Sequence, residues 1–552
     1  MDIIKIAMSA IVLGSLAHAK VITEEETKNI ALNKAFKESA KSYKIKELIE
    51  DDKLFKKTSK YAKYLEKDSK IRLIKLDPQG WVLVAGNDNA TPVIGYSLKS
   101  KFDENNLPPQ LEELLGEFSK SLFDLNNKKD KSTNAKKITN PEYLQLVKER
   151  EEKWKNLNQE HKQYKAKHPF KKTDNSVEVI GNYTSSFTSP TLKLEKETEV
   201  TTPLWNQDEY YNTHAPLVPS NLTSLYGFDG RSPTGCAATA MAEIMRYHSW
   251  PNNANLVSYN DINGSMQQQV DAYDTNHQYN WNIMEMTDLV APNDEVTLLM
   301  HHAALAVEMN FENNNSSSNA AIIANVMRDN FGYQFYAYLS RDQLANDTIW
   351  RNLIYTDLRQ GFPIIYSGFG TSGHTFLIDG FDSEDNDYHI NFGWGGAGNG
   401  YYIIDGITPG SYAFSDNAIA IFGLKPNNSE YRDVFEKDNT WEKSSYLPVG
   451  SVQLNHSIAP ASDEDWMTFW NDTLSDIKIQ TYSNSSTGNY RDTQLFLYDY
   501  YGNEVAFNED YESGGLSKIE VDDLSSGRYY VKVKAASNSK EISSYDINIV
   551  RN

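Results

Sequence analysis

A single cysteine, Cys236, stands among 552 residues. No intramolecular disulfide can form, and a multi-thiolate zinc or iron–sulfur site is excluded. Positive charge is also in deficit, since 54 lysines and arginines face 75 acids for a formal net charge of −21. Such a chain repels polyphosphate and anionic lipid, so nucleic acid is not an expected partner. Beyond the amino terminus no charge-free apolar run reaches the roughly 20 residues that cross a bilayer, and no membrane span is expected. What the chain does not lack is core material. Hydrophobic residues make up 39% and aromatics 12%, which excludes disorder and leaves room for about three to four domains.

The amino terminus reads as an address. Lys5 supplies a positive start, Ile6 to Leu16 form a short apolar segment, and Ala17-His18-Ala19 sets small residues at a cleavage point. This is the pattern of a Sec-type secretory signal over residues 1–19, and it predicts a secreted, extracellular protein. Outside the cytosol thiols tend to pair, so a solitary one is kept for its chemistry.

Charge divides the remainder. Residues 20–172 hold 33 basic against 24 acidic side chains, or +9, and residues 173–552 hold 20 against 50, or −30. The basic segment has lysine-rich helical stretches, Glu24 to Leu54 and Pro141 to Lys167, around strand-like Trp81 to Ala85 and Pro92 to Tyr96. Opposite charge favours docking of the first segment onto the second, as a detachable inhibitor would dock. Thr173 to Thr202 is rich in Thr, Ser, Asn and Glu and reads as a cleavable linker. A second boundary falls near Lys425 to Tyr431, beyond which short alternating strands predict an antiparallel β domain with one wet face. There Tyr529, Val531 and Val533 would point inward, and Tyr530, Lys532 and Lys534 outward.

The chemistry concentrates in the middle. Ser232 to His248 reads as a turn feeding a buried helix, with Cys236 in its first turn. Free N–H groups and the helix dipole there favour a thiolate, predicting a pKa drawn down from about 8.5 toward roughly 3.5 to 7.5 when a protonated imidazole is near. Gly235 leaves room for a substrate backbone. Among 11 histidines, His374 stands at the mouth of the apolar strand Thr375 to Gly380 and is the candidate base. Asn391 can set its side-chain oxygen against the far ring nitrogen, with an aromatic neighbour shielding that bond. His374 follows Cys236 by 138 residues and Asn391 follows His374 by 17, in the papain-like order of nucleophile, base and orienter. Gln207 could aim its amide at the oxyanion beside the backbone N–H of Cys236.

Trp205-Asn206-Gln207, Thr234 to Ala240, His374 with Phe376 to Gly380, and Asn391 to Gly396 together resemble the streptopain-type cysteine peptidases, the C10 family of papain-like enzymes. The resemblance covers roughly residues 204–424. Residues 20 to about 125 resemble that family's propeptide, through Gly80 to Val84 and Phe102 to Pro109. The resemblance implies a secreted zymogen whose propeptide inhibits it and assists folding. It assigns Cys236 as nucleophile, His374 as general base and acid, Asn391 as orienter and Gln207 as oxyanion donor. Gly235, Trp394 and Gly395 would touch substrate. The family usually carries Trp after the orienting Asn, where this chain has Phe392, and Gly395 to Gly400 resembles its mobile loop beside the cleft.

Residues beyond 432 resemble the bacterial pre-peptidase C-terminal β-sandwich, through Asp463 to Trp466, Asp492 to Asp499 and Gly527 to Val531. That implies a role in secretion, folding or substrate adhesion. Asn508 to Glu512 offers hard oxygens for calcium; no other metal and no cofactor is expected. The expected fold class is α+β: signal at 1–19, an α+β propeptide at 20–175, a papain-like cysteine peptidase domain at 176–425 and an all-β sandwich at 432–552. The expected function is a secreted cysteine endopeptidase acting on proteins or peptides through an acyl-enzyme, with its own propeptide as partner. Two readings compete with it. One is a catalytically inactive adhesin or binding protein, the other an acyl transferase or amidase on the same machinery.

Overall fold

The computed structural model describes residues 20–551 except 40, 55–60, 65–69, 89, 106, 128–140, 168–196, 209, 220–229, 262–267, 314, 345–346, 370–372, 383–384, 386, 404–415, 429–432, 483–490 and 510–514. The signal segment, most of the linker and Asp510 to Glu512 of the calcium expectation therefore lie outside the described residues. Two compact units partition the chain: residues 1–176 with 368–374 and 385–418, and residues 177–367 with 375–384 and 419–552.

In the first unit, helix α1 (Glu24–Ser39) packs on a meander of β1 (Lys44–Glu50), β2 (Ile71–Asp77), β3 (Trp81–Ala85) and β4 (Val93–Ser97). All five residues of β3 are buried, which is why it reads as an unbroken apolar run. The helical expectation for Glu24 to Leu54 holds over Glu24–Ser39 and again at Asp51–Leu54, with a strand between them. Lys44 to Glu50 is a strand because β2 offers a paired edge with opposite charges, Glu50 facing Arg72 in register and Lys44 facing Asp77. Helices α2 (Pro109–Asn127), α3 (Pro141–Leu157) and α4 (His161–Lys167) follow. Asn33 of α1 ties down the α3–α4 turn, donating to the carbonyls of Leu157 and Gln159 at 2.8 Å each. Two later strands, Asp387–Asn391 and Gly400–Tyr402, extend this sheet beyond β4. Gly95 of β4 lies opposite Tyr402, whose ring approaches so closely that a Cβ there would sit 2.7 Å from it.

The tip preceding Tyr388 carries a buried ionic cluster in the same unit. Lys34 of α1 is 1% exposed and reaches Asp385 at 2.6 Å, Glu38 at 3.0 Å and Asp387 at 3.6 Å, with Tyr96 under its ammonium. Lys37 and Lys153 also meet Asp385, at 2.7 and 3.4 Å. Burial opposes the Lys34 charge, yet the surrounding carboxylates hold its pKa well above the usual lysine value and Asp385 well below the usual carboxylate range. These lysines are thus not solvated decoration.

In the second unit, β5 (Glu197–Glu199) pairs antiparallel with Gly380 to Asp382, and Thr202 Oγ1 donates to Asp379 at 2.6 Å. The linker therefore ends before Glu197, not at Thr202. Helix α5 (Cys236–His248) packs on α6 (Asp294–Ala306), both apolar on most sides. Residues 337–340, 364–367, 375–382 and 419–422 supply strands to this unit, residues 375–382 being buried throughout. Residues 445–551 form a sandwich of one five-stranded and one four-stranded sheet around Met467, Phe469, Ile479, Leu495, Leu497, Val531, Val533 and Ile547. Its outer face is not wet throughout: Tyr530 packs with Trp466 and Tyr498. The helix Asp347–Gln360 holds the sandwich through Gln360 to the Lys443 carbonyl at 2.8 Å and Arg528 to Asn352 at 3.0 Å. Among the described residues no helix is long and apolar enough to cross a membrane.

Candidate active site

Cys236 opens α5 after Gly235, whose φ of 89° belongs to the region glycine tolerates best. A Cβ at Gly235 would lie 2.7 Å from the tip of Met309 and 3.2 Å from the Ser316 carbonyl. The chain's own packing, besides the backbone angle, thus requires glycine at this position. The half-buried thiol receives hydrogen bonds from the backbone and hydroxyl of Thr375 and from the N–H groups at the start of α5. Those bonds favour the thiolate, but burial outweighs them and pushes the thiol pKa up. The predicted depression is thus reversed here: the donors are present, but the site is too dry for them to prevail.

Gln207 is bound to the same helix start. Its carbonyl accepts from the N–H of Thr234 at 2.9 Å and from the Thr234 hydroxyl at 3.4 Å. Just upstream, the fully buried Trp205 donates its backbone N–H to Glu243 of α5 at 3.1 Å and its indole N–H to the Glu285 carbonyl at 2.8 Å. The second unit thus brings Gln207, Gly235 and Cys236 together.

His374, Asn391, Trp394 and Gly395 fall in the first unit. The imidazole is buried and lies on Trp394, with ring centres 4.8 Å apart and planes 14° from parallel. Phe392 stacks on the same indole at 4.6 Å and stands 6.2 Å from the imidazole. The aromatic cover expected from Phe392 is therefore supplied at first hand by Trp394. His374 Nε2 meets the carbonyl of Phe392 at 3.1 Å, a partner that the sequence did not nominate. The Asn391 side-chain oxygen, expected against the ring, accepts from Asn399 Nδ2 at 2.9 Å and from the Gly393 N–H at 3.2 Å. Burial draws the imidazole pKa down to about 4; the Phe392 bond and the charge of Glu113 on α2 only partly offset it. The loop 395–400 is fastened in this state: Gly398 and Asn399 are buried, and the Asn399 carbonyl accepts from Ser100 Oγ at 2.5 Å.

Two residues near the chemistry escaped the motif reading, Thr375 and Asn399. Thr375 follows the histidine directly, and strand alternation would turn its side chain to the opposite face. Asn399 lies among glycines, where an amide is usually taken for a turn residue.

Residues 205–402 match the profile of the Peptidase C10 family, and residues 19–122 that of the Spi protease inhibitor. The chain is 25% identical over 370 residues to the thiol protease/hemagglutinin PrtT of Porphyromonas gingivalis, covering 64% of this chain and 36% of that protein. It is 25% identical over 377 residues to streptopain of Streptococcus pyogenes, covering 65% of this chain and 81% of that one. A solved fragment of prointerpain A from Prevotella intermedia aligns at 21% identity and a TM-score of 0.46, over 66% of this chain and 98% of the fragment. The chain thus carries a segment of the Peptidase C10 kind at residues 205–402, preceded at residues 19–122 by one of the Spi protease inhibitor kind.

Proposed function

We propose that the protein is an exported, latent cysteine endopeptidase that cleaves protein or peptide bonds through Cys236, His374, Asn391 and Gln207. The observation that carries this reading is the placement of the Cys236 thiol: it lies at the start of α5, against Thr375, the residue joined covalently to His374. Once the imidazole takes the thiol proton, the sulfur attacks the peptide carbonyl carbon. The developing oxyanion is met by the Cys236 N–H and the Gln207 amide. The imidazolium then protonates the leaving amine as the C–N bond breaks, leaving a thioester. Water attacks that thioester after giving its proton to His374, and the carboxylic acid and thiol are regenerated.

Latency has a physical basis in the same groups. Burial raises the thiol pKa and lowers that of the imidazole, so at neutral pH both stay uncharged and no ion pair is ready to attack.

The test is expression of the full chain beside Cys236→Ala. The alanine form should keep its propeptide when expressed alone and leave casein intact, while the parent matures. An epoxide inhibitor should label Cys236 in the matured parent and far more slowly in His374→Ala. Normal maturation and casein cleavage by Cys236→Ala would refute the assignment. An unlabelled thiol in the parent would favour the inactive binding protein, and labelling without peptide cleavage the acyl transferase or amidase.

A further inference from the structure

Asn399 is 3% exposed and uses both ends of its carboxamide. Its Oδ1 accepts from the Phe392 N–H at 3.1 Å, and its Nδ2 donates to Asn391 Oδ1 at 2.9 Å. A main-chain N–H can only donate, so Phe392 dictates which end of Asn399 is oxygen. The other end is then the NH2 group, and only an oxygen on Asn391 can accept from it. The Gly393 N–H, equally unable to accept, reaches the same Asn391 oxygen at 3.2 Å. The polarity of the Asn391 amide is thus set from two sides by groups whose own polarity is not free. Both side-chain bonds of Asn399 run within residues 391–399, so they do not need the propeptide in order to persist.

We propose that Asn399 is a positioning residue for the peptidase reaction: by fixing the oxygen end of Asn391 it fixes the acceptor that orients His374. The proposal rests on the reading of Asn391 as the orienter. An amide left free to turn over would present its NH2 group to the imidazolium for part of the time, and a donor facing a donor destabilises the ion pair. An aspartate at position 391 has two oxygens and no polarity to set. Asn399 should therefore matter much less there.

Full-length chains carrying Asn399→Ala, Asn399→Asp, Asn391→Ala, Asn391→Asp, and Asn391→Asp with Asn399→Ala are matured. They are then assayed on a fluorogenic peptide from about pH 5 to 10, with rates counted per epoxide-labelled thiol. Asn399→Ala should lower kcat on the order of 10- to 100-fold with little change in KM. Its alkaline limb should move to lower pH, because the imidazolium has lost a fixed acceptor. Asn399→Asp keeps the side-chain shape and the Phe392 bond but cannot donate to Asn391; it should lose kcat as well, and it covers the case in which alanine unfolds the loop. In the Asn391→Asp background the further loss from Asn399→Ala should shrink to about twofold or less. An equal loss in both backgrounds, or wild-type kcat in Asn399→Ala, overturns the proposal. If Asn391→Ala itself retains full kcat, the reading of Asn391 as orienter fails first, and the two failures are told apart.

Discussion

The imidazole of His374 is held in a place that suits its neutral form. Stacked on Trp394 and buried, it titrates near 4, whereas in the unfolded chain an ordinary value near 6.5 applies. Between those two values the unfolded chain binds more protons than the folded one, so stability rises with pH through that window and is lost as pH falls through it. Acid should thus loosen this packing between about pH 6.5 and 4, by on the order of 3 kcal/mol from this one ring. Other buried histidines, His301 and His456 among them, carry shifts of the same sign, so the contribution must be isolated by difference. His374→Phe keeps a flat ring on Trp394 and removes the proton. In a Cys236→Ala background, urea-unfolding free energies at pH 7.5, 5.5 and 4.5 should decline less steeply for His374→Phe than for the parent. Parallel curves would place the acid response elsewhere. The residues proposed to perform chemistry could be nominated from the sequence because few side-chain types can act as nucleophile, base and amide partner. The residues that hold them were not. Thr375 and Asn399 act through particular main-chain groups, and no spacing in one dimension says which groups those will be.

At the scale of elements, α1 is fixed by a charge that has no access to water. Replacing Lys34 by methionine would remove the most deeply buried cation from beside Asp385, Asp387 and Glu38, leaving the more exposed Lys37 and Lys153 on Asp385. Removal of one partner of a buried ion cluster costs about 3 to 5 kcal/mol. Lys34→Met in the Cys236→Ala background should therefore unfold at markedly lower urea than Lys37→Met, and adding Asp385→Asn should recover part of the loss. Equal effects of the two lysine variants would show that burial does not govern the cluster. Because the lysine pKa lies above its ordinary value, its contribution is complete below about pH 10.5 and fades only as pH climbs through the raised value. For Asp385 the contribution stands above about pH 3.8 and fades as pH falls through the depressed value. Neither overlaps the window assigned to His374. Elements with one unambiguous burial pattern, such as the apolar runs of β3 and β4 and the cysteine helix, were readable beforehand. Lys44 to Glu50 was not, because its strand state is conferred by the edge of β2 and not by its own residues.

Across the whole molecule, the break in charge near residue 172 predicts a separable first segment. The compact units follow a different line, since residues 368–374 and 385–418 gather with the first segment. A one-dimensional boundary cannot anticipate segments contributed from far along the chain. The pairing of β5 with Gly380 to Asp382 sets a limit on maturation. Cutting before Glu197 spares this edge strand, and N-terminal sequencing with intact-mass measurement of the protein from culture medium should find the new terminus upstream of Glu197. A terminus beyond Val200 would show that the strand is dispensable. The solvent-starved ammonium of Lys34 has one more consequence. It is hidden from amine-modifying reagents for as long as α1 stays seated, while most of its neighbours in sequence remain open to them. Acylation at that one position, read peptide by peptide, should act as a clock for the departure of the first segment, independent of any measure of enzymatic turnover.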